Sequence, residues 1–188
     1  MGSDKRIGSR FLRAGPAYGG SCFPKDTKGL VSVADKFKID LSVVKSVIKS
    51  NLKRVDLHTK RIVKIVGAKL KNKKISFLGV TFKPNTDDMR DSTSLKMIPF
   101  LCKKGAKVSY YDPTGEKLEF AKLKNCKFKK NIKDNCKDAD LIILHTEWDE
   151  FKTIDFKKIN KSKSLKVYDL RNLFNYDEMR DKKIKYYS

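Results

Sequence analysis

Apolar residues recur at three- and four-residue steps between residues 40 and 70, with polar residues between them. This period predicts one long amphipathic helix that is capped by Asp40 or begins at Ser42. About 28 residues would span roughly 42 Å, which is longer than one small domain needs. Such a helix either connects domains and pairs with another subunit, or packs along its own domain. The apolar stripe consists of Leu41, Val44, Ile48, Leu52, Val55, Ile62, Val66 and Leu70.

Beyond residue 74 the pattern changes to short apolar runs that alternate with helical segments. We predict strands at residues 74–80, 107–111, 126–128, 141–145 and 165–169, and helices near residues 91–103, 116–123, 131–137 and 154–160. Strands that alternate with helices are typical of right-handed βαβ units. The predicted fold class is therefore α/β, with a long connecting helix followed by a Rossmann-like, doubly wound parallel sheet. We expect the boundary between residues 1–71 and residues 72–188, with a mobile tail over 181–188.

The chain has 188 residues and a formal net charge of +22. A basic chain suggests polyanionic partners. However, only eight of the 44 basic residues are arginine, the lysines are spread along the whole length, and no nucleic-acid-binding motif is present. The hypothesis that the chain binds nucleic acid therefore rests on its charge alone, and we expect no specific nucleic-acid partner.

No apolar run approaches 18 residues and the start is not signal-like, so we expect no membrane span. The four cysteines have no metal-ligand spacing, which predicts a reduced, cytoplasmic chain without a metal site.

Residues 15–26 carry the most specific chemistry: Gly-Pro-Ala-Tyr-Gly-Gly-Ser-Cys-Phe-Pro-Lys-Asp. Glycines let a backbone approach a ligand closely. A thiol at Cys22 near Lys25 can ionise, attack a carbonyl carbon and carry it covalently, while Asp26 can handle protons in the same pocket. We expect Asp26 also to cap a helix over residues 28–36. The alternative for Cys22 is a small buried hydrophobe, which is the usual role of a lone cysteine.

Further candidates follow the predicted strands, whose carboxyl ends bind ligands in open α/β sheets. Lys83 and Arg171 can contact a phosphate, and Arg90 can do so unless it forms a surface pair with Asp87 or Asp88. The aromatic candidates Phe11, Tyr18 and Phe82 can stack on a base or line a sugar pocket, or pack in a core. No G-x-G-x-x-G follows a strand, so the sheet shows no dinucleotide-binding signature. The histidines, His58 and His145, and Trp148 are expected to be structural.

Three stretches in order identify a family resemblance. These are GGSCFPKD at residues 19–26, FLGVTFKPNTDDMRDS at 77–92 and YDLRN at 168–172. They resemble the UDP-glucose/GDP-mannose dehydrogenase family, whose members are NAD-dependent oxidoreductases of nucleotide sugars, and the resemblance covers essentially the whole chain. It implies that residues 1–71 form a central dimerisation region around a long helix and that residues 72–188 bind a UDP-sugar. Ala17 departs from the glycine usual at its position.

The resemblance also implies residue roles. Cys22 matches the catalytic thiol, and Asp26 a residue that assists proton transfer; Lys25 and Arg90 match cofactor contacts. Substrate contacts are implied for Arg6, which would reach the neighbouring subunit's site, and for Phe11, Arg13, Tyr18, Gly19, Phe82, Lys83 and Arg171.

The implied reaction is a four-electron oxidation of UDP-glucose to UDP-glucuronate by NAD through a thioester on Cys22, although UDP-N-acetyl-mannosamine and GDP-mannose remain open as substrates. The family's NAD domain, and a lysine and an asparagine of its reaction scheme, find no match in this sequence. We therefore expect a C-terminal portion that is inactive alone, forms a homodimer and works with a separate N-terminal half if one exists. The alternative is a non-catalytic nucleotide-sugar-binding or assembly module in which Cys22 is idle.

Overall fold

The computed structural model describes residues 1–162 and 164–188, apart from the side chains of Arg10 and Phe11. A 3-10 turn at Ser9–Leu12 is followed by helix α1 (Cys22–Lys36) and helix α2 (Ser42–Val66). The predicted long helix is confirmed over 25 residues; it begins at Ser42 and ends at Val66, four residues before the predicted end at residue 70. It ends where Gly67 adopts φ of 110°, a conformation that side chains disfavour.

Helix α1 begins six residues before the predicted start, so the expectation that Asp26 caps it was wrong. Ser21 is the N-cap residue and Cys22 is the first helical residue. Pro24 lies in the first turn, where the missing amide of proline costs no hydrogen bond. The same proline made the segment look like a loop, because proline usually interrupts helices.

Six parallel strands form one sheet in the described part of the chain, in the order β3-β2-β1-β4-β5-β6. This is the doubly wound order: β2 and β3 are added on one side of β1, and β4, β5 and β6 are added on the other side. The predicted Rossmann-like fold is thus confirmed. The strands are β1 (Lys74–Leu78), β2 (Lys107–Tyr111), β3 (Cys126–Phe128), β4 (Leu141–Leu144), β5 (Lys166–Asp169) and β6 (Lys185–Tyr187), and the later helices are α3 (Ser94–Lys103), α4 (Ile132–Cys136), α5 (Phe156–Ile159) and α6 (Tyr176–Asp181).

The carboxyl-terminal residues correct the sequence prediction most clearly. The expected mobile tail contains β6, which pairs in parallel with β5, and α6 precedes it. The Tyr186 hydroxyl donates to Asp169 at 2.8 Å, which anchors this edge strand. Two predicted helices are also shorter: the one near residues 116–123 is a 3-10 turn at Leu118–Phe120, and the one near residues 154–160 is α5, which follows an unpredicted 3-10 turn at Asp149–Thr153.

Apolar side chains pack on both faces of the sheet. On one face the carboxyl half of α2, through Ile62, Ile65 and Val66, packs with α3 against β1, β2 and β4. The other face packs around Phe151 and Phe156. Burial of each such side chain contributes about 1.5–3 kcal/mol, so the sheet and the end of α2 form a rigid base for the loops at the carboxyl ends of the strands. None of the described helices combines the length and apolar character that a membrane crossing needs.

Candidate active site

Cys22 is exposed at the amino terminus of α1. Its Sγ lies 3.7 Å from Ser21 Oγ. The unpaired amides of a helix amino terminus favour a nearby anion such as a thiolate. Arg90 lies in the loop that this segment contacts, because its carbonyl accepts from the Gly20 amide at 2.8 Å. The position therefore suits a nucleophile.

Two adjacent glycines bring the loop before Cys22 onto the loop that follows β1. A Cβ on Gly19 would lie 2.6 Å from the carbonyl oxygen of Asp91. Gly20 has φ of 80°, and its amide donates to the Arg90 carbonyl at 2.8 Å. Only glycine combines this backbone conformation with so close an approach. The Gly-Gly pair thus fixes the thiol against the strand-end loop.

The guanidinium of Arg171, which follows β5, is held by two backbone carbonyls. Nε donates to His145 at 2.8 Å and Nη2 donates to Phe82 at 2.9 Å. Nη1 faces Gly15, where a Cβ would lie only 2.7 Å from it. Burial lowers the pKa of Arg171, yet a guanidinium stays charged in proteins. Such a fixed, partly desolvated cation is suited to a phosphate.

These elements enclose a cavity of about 840 Å³. Seven predicted site residues line it: Arg13, Tyr18, Gly19, Cys22, Phe82, Lys83 and Arg171. Its four cationic side chains, Arg13, Arg54, Lys83 and Arg171, outnumber the one carboxylate, Asp88. The volume lies in the range of about 300–1,000 Å³ typical of ligand sites. A thiol, an excess of positive charge and aromatic walls together suit an anionic ligand that carries a reactive carbon.

Sequence reasoning missed two residues that also line this cavity, Asn51 and Arg54 of α2. Asn51 makes two hydrogen bonds to the backbone of Tyr18, and Arg54 donates to the carbonyls of Gly15 and Pro16. The apolar stripe of α2 skips the turn between Val55 and Ile62, which indicates a polar contact on this side of the helix but does not single out Asn51 or Arg54. That turn carries His58, which is on the same helix face as Asn51 and Arg54.

Comparisons with known proteins agree with this geometry. Residues 76–176 match the model of the UDP-glucose/GDP-mannose dehydrogenase family, UDP binding domain. Residues 1–53 match the model of the central domain of the same family. The chain belongs to the UDP-glucose/GDP-mannose dehydrogenase family. The resemblance seen in the three sequence motifs is thereby confirmed.

Family members of known sequence align over all of this chain. It is 40% identical over 193 residues to the UDP-glucose 6-dehydrogenase of Rickettsia prowazekii, and the match covers 100% of this chain and 44% of that protein. It is 35% identical to UDP-glucose 6-dehydrogenase YwqF of Bacillus subtilis, with 100% and 43% covered. The chain thus spans less than half the length of these relatives.

Solved structures of the family have the same fold. The UDP-glucose dehydrogenase of Pyrobaculum islandicum matches with a TM-score of 0.80 and 26% identity, and the match covers 100% of this chain and 41% of that one. The GDP-mannose dehydrogenase of Pseudomonas aeruginosa matches with a TM-score of 0.71 at 22% identity, covering 92% and 40%. The second likeness concerns the fold alone.

Several residues implied by the family motifs lie outside the cavity lining. Arg6 pairs with Asp4 at 2.7 Å, and its side chain is 89% exposed. Lys25 and Asp26 pair with each other at 3.6 Å and are both exposed. Arg90 pairs with Asp88 at 2.8 Å, and this contact holds the pKa of Asp88 below its usual value. The side chain of Phe11 lies outside the described residues.

The turn after β1 does not fit the pyrophosphate of a dinucleotide. The Val80 amide donates to Asp112 at 2.8 Å, and the Val80 carbonyl accepts from the hydroxyls of Ser92 and Ser94. Gly79, with φ of 74°, packs directly on Thr146. The amides of Gly79, Val80 and Phe82, which would be needed to cradle phosphates, already donate within the chain, to Tyr111, Asp112 and Asp88. In the described residues no three His, Cys, Asp or Glu side chains are grouped so that they could hold a metal ion.

Proposed function

We propose that this chain supplies the thiol and the nucleotide-sugar site of an NAD-dependent UDP-glucose 6-dehydrogenase, which oxidises UDP-glucose to UDP-glucuronate through a thioester on Cys22. The observation that carries the proposal is the shared cavity of Cys22, Lys83 and Arg171. Relatives named UDP-glucose 6-dehydrogenase support the choice of sugar.

Binding follows from charge and shape. Arg171 and Lys83 hold the diphosphate, with Arg13 at the cavity rim, where its side chain is 41% exposed and pairs with Glu147 at 3.5 Å. Phe82 and Tyr18 offer ring faces or edges to the base and sugar. Lys83 Nζ already lies 5.4 Å from the centre of the Phe82 ring, so charge and aromatic surface are presented together.

Covalent capture follows from the position of Cys22. The thiolate attacks the C6 carbonyl carbon of the aldehyde form of the sugar, so that a C–S bond forms and the oxygen takes a proton. After oxidation of this adduct, water attacks the thioester, the C–S bond breaks, and carboxylate and thiol are released. Asp26 is four residues after Cys22 on α1 and therefore shares its helix face, which suits it to hold or move the proton.

NAD serves this family as the hydride acceptor. Because the turn after β1 does not fit a dinucleotide, we propose that NAD touches this chain only at its rim, through Lys25 and Arg90. The chain alone is then inactive, and a separate N-terminal half would restore turnover.

We also propose a homodimer formed through α1 and α2. Their outer faces expose apolar side chains, among them Phe37 at 73%, Val43 at 75% and Val33 at 53%. Several large apolar side chains exposed on one pair of helices are typical of an interaction surface. The four free cysteines accord with a reduced, cytoplasmic setting.

The function is tested by mixing the chain with UDP-glucose and NAD while following the absorbance of reduced cofactor. We expect no turnover, yet UDP-glucose should protect Cys22 from alkylation, and the Cys22→Ser variant should still bind the sugar. Strong turnover by the chain alone would contradict the need for a second half. Failure of UDP-glucose, UDP-N-acetyl-mannosamine and GDP-mannose alike to protect Cys22 would contradict the nucleotide-sugar site.

A further inference from the structure

The loop that precedes Cys22 is held mainly by side chains of another element. Residues 13–19 form neither helix nor strand. Side chains of α2 bind three successive parts of its backbone, at Gly15, Pro16 and Tyr18. Backbone groups without a regular partner need such contacts to stay ordered. The position of the loop therefore depends on α2.

Asn51 makes the most specific of these contacts. Its Oδ1 accepts from the Tyr18 amide at 3.0 Å, and its Nδ2 donates to the Tyr18 carbonyl at 3.0 Å. Both backbone groups of one residue are thus paired with a single side-chain amide, as they would be with a neighbouring strand. This pairing fixes the peptide planes on both sides of Tyr18, one residue before the Gly-Gly turn.

Arg54 and His58 continue the contact along the same face of α2. Arg54 Nε donates to the Pro16 carbonyl at 2.5 Å, and its Nη2 donates to the Gly15 carbonyl at 3.2 Å. His58 Nε2 also lies 3.0 Å from the Pro16 carbonyl oxygen. Residues spaced by three and four lie on one helix face, so Asn51, Arg54 and His58 form a single row along the loop.

The row formed by Asn51, Arg54 and His58 also contacts the sheet. His58 Nδ1 lies 2.7 Å from the hydroxyl of Tyr168 on β5. The next residue, Asp169, accepts from the Arg171 amide at 2.8 Å. Helix α2 thus links the loop of the thiol to the strand that presents Arg171. Gly15 lies so close to Arg171 Nη1 that there is no space for a Cβ between them. A shift of the loop would therefore change the space beside the Arg171 guanidinium, where a phosphate must fit.

We propose that Asn51, supported by Arg54 and His58, is a positioning residue that sets the distance between Cys22 and the cationic end of the cavity. It acts through the Tyr18 backbone rather than on the reacting atoms. The proposal rests on the proposed function only in its use of UDP-glucose as a probe.

Asn51→Asp is the sharpest test, because aspartate keeps the acceptor for the Tyr18 amide and loses the donor to the Tyr18 carbonyl. We measure the rate at which iodoacetamide alkylates Cys22, by mass spectrometry of its peptide, and the UDP-glucose concentration that halves this rate. The rate and the concentration should both rise about fivefold, the factor that corresponds to one lost net hydrogen bond. The alkylation rate without sugar decides the outcome, because Asn51 lines the cavity and a new carboxylate there weakens the binding of an anionic sugar by charge alone. Lys53→Gln, on an exposed position of the same helix, is the matched control and should leave both within about twofold.

Cys102, in the same samples, separates positioning from general loosening, because its half-buried thiol lies in the core of the sheet domain. Its alkylation rate should be unchanged in Asn51→Asp, and the thermal midpoint should fall by no more than about 2–4 °C, the shift that corresponds to one lost hydrogen bond. A folded Asn51→Asp protein with unchanged Cys22 values would overturn the proposal, as would equal acceleration of Cys102.

If the aspartate variant does not fold, Arg54→Lys, which retains one donor, replaces it with the same readouts, and unchanged Cys22 values would again overturn the proposal. If the parent chain shows no protection by UDP-glucose, the proposed function fails. The alkylation rates without sugar still decide whether Asn51 positions the loop.

Discussion

Gly20 and Phe82 approach so closely that a Cβ on Gly20 would lie 2.7 Å from two carbon atoms of the Phe82 ring. The two residues belong to different motifs, since Gly20 precedes the thiol and Phe82 follows β1. Their contact is where the thiol loop meets the sheet domain. Any side chain at position 20 must push these two loops apart.

Gly20→Ala should therefore destabilise the protein for two reasons. Alanine at φ of 80° is strained, at about 1–2 kcal/mol, and overpacking against the ring adds about 1–3 kcal/mol. Gly8→Ala is the control, because Gly8 has φ of 78° and nothing within 4 Å of its Cβ position. Urea unfolding should show a larger loss for Gly20→Ala than for Gly8→Ala, and Phe82→Leu should relieve part of the difference. Equal losses would mean that the ring contact is unimportant.

Arg171→Met should weaken both folding and sugar binding. The carbonyls of His145 and Phe82 lose their donor, at about 1–3 kcal/mol of unfolding free energy. Loss of one charge-assisted phosphate contact should raise the UDP-glucose concentration for half-protection of Cys22 by about tenfold or more. Arg180→Met is the control, since Arg180 pairs with Asp177 and Asp181 at the exposed surface and its loss should change stability by less than about 0.5 kcal/mol. Unaltered protection in a folded Arg171→Met variant would exclude a phosphate contact.

The local pattern of apolar and polar residues was sufficient to predict most strands of the sheet. The predicted strands at 107–111 and 126–128 have the observed bounds, because short apolar runs bounded by polar turns have few other interpretations. Strand β6 was missed because it has only three residues, Lys-Tyr-Tyr, and follows a lysine-rich stretch. What makes it a strand is tertiary: it pairs with β5, and Tyr186 reaches Asp169. Propensity could not reveal that partner.

The candidate site, like the sheet, contains residues that the sequence could predict and residues that it could not. Cys22 and Arg171 could be named in advance because they lie in motifs with a chemical meaning. Asn51 could not, because its only visible property in the sequence is a polar position on a helix. Its partner, Tyr18, is 33 residues away, and only the fold brings the two together.

Cys22 should be alkylated faster than the other cysteines. It is exposed at a helix amino terminus, whereas burial raises the pKa of the Cys136 thiol and keeps it protonated at neutral pH. The contact between Cys126 and Cys102 raises the pKa of Cys126 and lowers that of Cys102, so Cys102 is the main competitor, but its thiol is half-buried whereas Cys22 is exposed. Peptide mapping after limited iodoacetamide treatment should find Cys22 modified first. If Cys22 reacts no faster than the other three, the idle-thiol module becomes the better description.

Acid should destabilise the protein through its two histidines. Burial lowers the pKa of His58, with further lowering by Arg54 and Arg61, and burial also lowers the pKa of His145. A histidine in the unfolded chain has a pKa of about 6.5. Below that pH the unfolded chain binds protons at these two histidines, whereas the folded chain does not. Stability therefore falls as pH drops from about 7 to 5, by at most about 1.4 kcal/mol per pH unit for each histidine.

Urea unfolding of the parent chain and of His58→Phe at pH 7.5 and pH 5.5 tests this. The phenylalanine variant should lose less stability between these two pH values, because one titrating group is gone. Identical pH dependence in the two proteins would show that His58 titrates alike in the folded and unfolded chains.

The dimer prediction can now be tested with better substitutions than the sequence offered. The predicted stripe pointed to Ile48 and Val55, yet both are half-buried, so a charge there would disturb folding. Val33 of α1 and Val47 of α2 are 53% and 47% exposed, so a charged side chain at either position can point into solvent in the monomer. Leu118, 88% exposed in the sheet domain, provides a control of the same kind.

Light scattering at tens of micromolar should show a dimer for the parent chain. Val33→Glu or Val47→Glu should weaken it, because each interface valine contributes about 1.5–3 kcal/mol when buried, which raises the dissociation constant by at least about tenfold. Leu118→Glu should leave the dimer intact. A monomeric parent chain would contradict the dimer altogether. A dimer that resists both valine substitutions but responds to Leu118→Glu would place the interface on the sheet domain instead.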